Sequence, residues 1–293
     1  MLTHADAAYP PQLVAATTTP TALYTLGDIS LLRQPQMAIV GSRRPTAAGM
    51  RIARQIAGDL AAAGLVITSG LAQGIDTAAH EAALAAGGTT IAVCGTGLDI
   101  CYPPGNQALF ARIAERGLLV SEFAPRVPPR AAHFPQRNRI ISGLARGVVV
   151  VEAAQGSGSL ITAQRALEQG REVFAVPGSP LSPLSAGCLA LIRQGATLVR
   201  GAADILPDIR NSIEQIIPLN QQVAPTQGGL FEGGRLDKDY EMLLDALGFE
   251  PGSIDDLVAR TGLAAGVVAS MMLILELHGR VEARPGALYN RVE

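Results

Sequence analysis

The feature that most limits what this chain can fold into is an alternation between about residues 37 and 206. Six short apolar runs, "QMAIV", "LVITSG", "TTIAVCG", "LLVSEF", "GVVVVEA" and "REVFAVPG", are separated by glycine or proline and by helical stretches such as "AAGMRIARQIAGDLAAAG" and "SLITAQRALEQG". The runs are apolar at nearly every position instead of every second one, so each strand is covered on both faces. Strands of that kind, joined by helices, build a parallel sheet between two helical layers. The expected fold is therefore α/β: a doubly wound, mostly parallel Rossmann-like sheet over residues 37–206, with residues 1–36 as an N-terminal extension of the same domain. Ligands of such sheets sit beyond the carboxyl ends of the strands, which is where the glycine turns of this chain fall.

Five of those turns, "VGSRRPTAAG", "TSGLAQGID", "CGTGLDICYPPGN", "EAAQGSGSLITA" and "VPGSPLSPLSAG", are rich in Gly, Ser and Thr and run from a strand end to a helix start. Free amides at a helix N-terminus, together with small hydroxyls, attract anions. Any one turn taken alone needs its glycines only for a tight bend. The G-x-G-x-x-G spacing of dinucleotide sites does not follow "MAIV", and no GK[ST] phosphate loop occurs, so no cofactor is expected.

Net charge is -2, which averages over two basic windows. From Ile29 to Gly58 there are Arg33, Arg43, Arg44, Arg51 and Arg54 and no acid; from Phe123 to Val151 there are Arg126, Arg130, Arg137, Arg139 and Arg146, again without an acid. Lys238 is the sole lysine, so arginine could simply be standing in for lysine on solvated faces. The clustering beside glycine turns points instead to a local positive field. The segment "FPQRNRIISGLA" raises the question most sharply, because arginine beside a core is costly unless something anionic satisfies it. A helix is expected to begin near Pro135, placing Arg137 in its first turn, where the helix dipole disfavours a cation unless an anion is bound. Ser157 and Ser159 precede another helix and can reach the same or a neighbouring anion. Asp76 and His80, one helical turn apart, and Asp99 have no nucleophile or metal partner in view and are read as local hydrogen bonds or caps.

These motifs, in this order, resemble the DNA-processing protein A family (DprA, also called Smf). The resemblance runs through "YPPQL", "TPTALYTLGD", "VGSRRPTAAG", "SGLAQGIDTAAHEAAL", "AVCGTGLDICYPPGN", "SEFAP", "FPQRNRIISGLA", "EAAQGSGSLITAQRALEQGREVFAVPGS" and "SAGCLALIRQGA". It implies a protein that binds and protects incoming single-stranded DNA and loads the RecA recombinase during natural transformation, acting as a homodimer and not as an enzyme. It implies that Arg43, Arg137 and Arg139 line one basic pocket for the DNA backbone. The candidate DNA-binding set is Gly41, Ser42, Arg43, Phe134, Arg137, Asn138, Arg139, Ser157, Gly158 and Ser159; no catalytic or metal-binding residue is nominated. Many members carry a helical domain ahead of the sheet, and the residues before position 37 are too few for one. Aromatic residues are only 4% with no Trp, so base-stacking surfaces are few, with Tyr102 and Phe134 the candidates.

The rival class is an enzyme. The turn also resembles the PGGxGTxxE motif of lysine-decarboxylase-like phosphoribohydrolases, but aligning Gly158 and Ser159 with its Gly-Thr puts Thr162 where the glutamate belongs. Residues 207–237 mix Pro, Gln and Gly and read as a linker. Residues 238–293 give three helices and a hairpin, the order of a small C-terminal winged helix. Its third helix, "LAAGVVASMMLILELHG", lacks the cations of a groove reader, and Val267, Val268, Met271, Met272 and Leu275 are expected to leave an apolar protein-binding surface. Cys94, Cys101 and Cys188 share no metal-ligand spacing, and no secretion signal or membrane span is evident, so a cytoplasmic protein is expected.

Overall fold

The computed structural model describes residues 1–14, 20–209, 231–232, 235–236, 238–248, 251–263, 265–277, 280–284 and 288–291. Two compact units divide the chain, Met1–Pro218 and Leu219–Glu293. In the first, the apolar runs form β3 (Gln36–Gly41), β4 (Val66–Ser69), β5 (Thr90–Val93), β6 (Leu118–Ser121), β7 (Gly147–Val151) and β8 (Glu172–Ala175). β1 (Leu2–Thr3), β2 (Ala22–Gly27) and a short β9 (Thr197–Leu198) complete a nine-stranded sheet of order β1-β2-β6-β5-β4-β3-β7-β8-β9. Every pairing from β6 to β9 is parallel, and β1 and β2 add an antiparallel edge. Residues 1–36 thus belong to the sheet and supply Leu13, Leu23, Leu31 and Leu32 to its core.

Successive strand residues point to opposite faces, and both faces are covered. Met37, Ile39, Ile67, Val149 and Val151 pack under α2 (Ala47–Ala62) and α3 (Ile75–Ala85). α4 (Gln107–Arg116) extends that layer over Ala92 and Leu119. Ala38, Val40, Val93, Val148 and Val150 face α1 (Pro11–Val14), α5 (His133–Leu144), α6 (Gly158–Glu168) and α7 (Ala186–Arg193). Thr46 caps α2 by accepting from Gly49 N at 3.0 Å. After β3 the chain moves to β4, β5 and β6 on one side, and β7 starts the other half; the switch point lies between β3 and β7, where doubly wound sheets open a crevice.

The second unit has its own core of Leu243, Leu247, Leu257, Val268, Met272 and Leu275. Helices Lys238–Leu247, Ile254–Thr261 and Ala265–Leu277 precede an antiparallel hairpin, Val281–Arg284 with Leu288–Arg291, onto which Gly252–Ser253 adds a third strand. Ser253 and Asp256 form a reciprocal capping box at the middle helix, and Gly262 ends it in the left-handed region. The third helix differs from its expected role: Val268, Met271, Met272 and Leu275 are core, and of the five apolar residues singled out there only Val267 is exposed. Much of the stretch read as a linker lies outside the described residues. Within it, Ile209 still packs in the core of the first unit, and Phe231–Glu232 pairs with Arg235–Leu236.

Candidate nucleic-acid interface

A cleft of about 850 Å³ opens over the carboxyl ends of β3 and β7. Gly41, Ser42, Arg43 and Arg44 enter it from the turn after β3, and Gln155 to Ser159 from the turn after β7. Tyr102, Arg130, Phe134, Arg137 and Asn138 come from the loops after β5 and β6 and from α5. The N-terminus of α6 points its first amides at this space, with Ser157 as N-cap and its Oγ sharing a hydrogen bond with Ser159 Oγ at 2.7 Å. Asn138 Nδ2 donates to Gly158 O at 3.2 Å and fixes that turn against α5.

The rim and the floor carry arginines of different kinds. Arg43, Arg44 and Arg130 are exposed, and among the described residues none forms an ion pair. Arg43 lies over the Phe134 ring, its Cζ 5.8 Å from the centroid, and Phe134 packs on the half-exposed Tyr102 ring at 5.4 Å. Arg137 is only 4% exposed. Its Nη1 donates to Gly70 O at 2.7 Å and to Val93 O, so it caps the ends of β4 and β5. A Cβ on Gly70 would stand 2.4 Å from that guanidinium, so only glycine leaves the seat open.

The buried charge of Arg137 shapes its neighbours. Asp76 accepts from Gly70 N at 3.1 Å and Ala72 N at 3.3 Å. Burial pushes its carboxyl above the ordinary range, opposed by Arg137 and the two amides; burial likewise lowers the Arg137 guanidinium. His80 is pushed down to about 3 by burial and then by Arg137. Its Nδ1 lies 2.6 Å from Thr90 Oγ1, which itself donates to Ile67 O, so Nδ1 carries the proton and the imidazole is neutral. Asp76 and His80 thus serve separate partners, and Asp99 accepts from Arg126 N at 2.9 Å.

Nine of the ten nominated residues meet in this cleft; Arg139 does not line it. α5 begins at His133, two residues before the expected start, so Arg137 falls in the second turn. Residues two apart on a helix are about 200° apart around its axis, which turns Arg139 away from Arg137. Arg139 Nη2 binds Glu122 Oε2 in a pair that is 14% and 8% exposed. Arg44 and Arg130 were legible only as members of basic windows. Among the described residues no cluster of three or more His, Cys, Asp or Glu side chains is placed to hold a metal ion.

The first unit is an open α/β sheet with a cation-rimmed, aromatic-edged cleft at its switch point, and a unit of three helices and a hairpin follows it in the sequence. The chain belongs to the DNA recombination-mediator protein A family, whose model matches residues 1–210, and a DprA winged helix domain matches residues 233–287. It is 45% identical to protein Smf of Escherichia coli K12 over 95% of this chain and 74% of that one. It is 50% identical to the DNA processing protein DprA of Streptococcus pneumoniae over 69% of this chain and 72% of that one. The X-ray structure of DNA processing protein A from Streptococcus pneumoniae superposes with a TM-score of 0.69 at 49% identity, covering 71% of this chain and 73% of that one. DNA processing protein A from Helicobacter pylori, studied for its single-stranded DNA binding mode, gives 0.63 at 32% identity, covering 70% and 93%.

Proposed function

We propose that this chain binds single-stranded DNA in the cleft at the β3–β7 switch point, holding the backbone with the Arg43, Arg44 and Arg130 rim and the α6 N-terminus. The observation that carries this is that those three exposed arginines, beside a helix N-terminus, have no ion pair among the described residues: they are free to neutralise phosphates and displace the counterions condensed on the DNA. Tyr102 and Phe134 give a base a stacking face at the edge of the same groove. Arg137 contributes field from beneath and shapes the floor. The single-stranded DNA binding of the Helicobacter pylori relative supports the same ligand here.

In this reading the protein acts in the cytoplasm as a homodimer that protects incoming DNA during natural transformation and hands it to the RecA recombinase. The recombination-mediator name of its family supports that role. It binds without changing covalent bonds. Thr162 stands at the position where a phosphoribohydrolase needs its glutamate, and Asp76, the one carboxylate lining the cleft among the described residues, is engaged by two amides.

Titration of fluorescent oligonucleotides at several salt concentrations tests the reading. Arg43→Ala, Arg44→Ala and Arg130→Ala are each expected to weaken binding across sequences and to reduce the salt slope by about 0.7 per lost contact. Binding equal to wild type for all three at every salt concentration overturns it, as does release of free base from nucleoside monophosphates.

A further inference from the structure

The same two turns that build the cleft have a second side. Beyond Thr46 and Glu152 lies a separate cavity of about 480 Å³, lined from the first turns of α2, the end of β7 and the loop between β8 and α7. It shares no lining residue with the first cleft. Its volume falls in the range of about 300–1,000 Å³ typical of small-molecule sites.

The polar groups of this cavity are of two kinds. On one side, Ser179, Ser182 and Ser185 recur at three-residue spacing along the loop and all line it. Ser185 is 7% exposed and stands at the N-cap position of α7, yet its hydroxyl bonds no helix amide and has no partner among the described residues. Gly178 makes the room: a Cβ there would lie 2.1 Å from Ser185 Oγ. Ser185 is buried but its hydroxyl oxygen is open to the cavity, so its hydrogen bonds are made with whatever fills that space. Arg51, exposed and without an ion pair among the described residues, adds a cation from α2. On the other side is Glu152, held at φ 53, a backbone region that side chains other than glycine rarely adopt. Its carboxylate accepts from Thr46 N at 2.8 Å and from Thr46 Oγ1, so its charge is balanced by the N-terminus of α2.

Hydroxyl donors and a free guanidinium match a tetrahedral anion with several acceptor oxygens, and a carboxylate with spare lone pairs matches hydroxyl donors. We infer that this second cavity binds a small phosphate monoester of a polyhydroxyl compound, a sugar phosphate or a nucleoside monophosphate. Its phosphate meets Ser179, Ser185 and Arg51, and its hydroxyls face Glu152.

Calorimetric titration of the full chain with inorganic phosphate, ribose 5-phosphate and AMP tests this. The two esters are expected to bind more tightly than inorganic phosphate; AMP ahead of ribose 5-phosphate assigns a nucleotide, and equal affinities assign a sugar phosphate. Ser185→Ala and Arg51→Ala are each expected to weaken the esters by about tenfold. Arg43→Ala leaves ester binding unchanged, and single-stranded DNA affinity is unchanged in the Ser185 and Arg51 variants, which separates this site from the DNA reading. Loss of ester binding in Arg43→Ala with none in Arg51→Ala puts the ligand in the first cleft and overturns the inference. So does the absence of heat from either ester at millimolar concentration. Arg51 is exposed, so its variant remains informative even if Ser185→Ala folds poorly.

Discussion

The rim and the floor of the cleft use the same residue type for opposite ends. Arg43, Arg44 and Arg130 stand in loops, exposed and unpaired among the described residues, whereas Arg137 is sealed beneath them on the carbonyls of Gly70 and Val93. An exposed guanidinium costs the fold little and remains available to a ligand; the buried one gives its Nη1 to the fold, while its Nε has no partner among the described residues. Counting arginines in a sequence therefore says where a positive field is, and burial says which of them can touch what the field attracts.

The sharpest way to break this comparison is Arg137→Ala. It leaves two carbonyls and the Asp76 carboxyl without their buried cation, and a loss of about 3–5 kcal/mol of stability is expected. Arg43→Ala is expected to stay within about 0.5 kcal/mol of wild type. Urea unfolding of both variants decides the matter: equal stabilities would mean that the floor is no more structural than the rim.

The floor also makes stability depend on pH. His80 has a folded value of about 3 against an ordinary 6.5, so below 6.5 the unfolded chain takes up a proton that the folded chain refuses. Stability is expected to fall as pH drops from about 6.5 toward 3, by at most about 1.4 kcal/mol per unit, with no contribution above that window. Asp76, pushed upward, works the other way: its contribution is present at low pH and lost as pH rises through its folded value. Urea unfolding at several pH values, for wild type and His80→Gln, measures the His80 part. An unchanged slope in the variant would show that the imidazole is not the group responsible.

Arg139 sharpens the comparison on a single helix. It faces away from the cleft onto Glu122, whose Oε1 already has no partner among the described residues. Arg139→Ala is expected to cost about 1–3 kcal/mol by leaving the buried Glu122 carboxylate without its cation, with Gln136 Nε2 still donating to Oε2 at 2.9 Å. DNA affinity should be unchanged. A clear drop in affinity at constant stability would return Arg139 to the interface.

The pair Arg137 and Arg139 shows what the sequence could and could not disclose. The six apolar runs marked the strands because a doubly covered parallel strand leaves no polar alternation. The turns marked the cleft because helix starts must follow strand ends in this topology. Whether "RNR" sends both arginines to one side depends on its being strand or helix and on where the helix starts, and a start two residues earlier changes the turn on which Arg137 falls. The burial of Arg137 needed more: it depends on Gly70, 67 residues away, whose missing side chain leaves space for the guanidinium. β2 was illegible for a related reason, since "ALYTLG" pairs as an antiparallel edge and lacks the apolar continuity of an interior strand.

The smallest expected effect extends the comparison to the second unit. A module that reads DNA places cations on its recognition helix. Among the described residues of this unit the exposed charges are Asp245, Asp255, Asp256, Glu276 and Glu282 against Arg260 and Arg280. The third helix spends Val268, Met271, Met272 and Leu275 on its own core, which leaves it neither a basic face nor a broad apolar one at those positions. A protein ending at Pro218 keeps Ile209, which the core of the first unit uses, and should retain single-stranded DNA affinity within about twofold, a difference of under about 0.5 kcal/mol. The separate unit from Leu219 onward should bind neither single-stranded nor duplex DNA at physiological salt. An affinity loss beyond about tenfold, about 1.4 kcal/mol, in a truncated protein of unchanged melting temperature and assembly state would place DNA contacts in the winged helix. It would mean that net acidity is as poor a guide in that unit as the count of arginines is in the cleft.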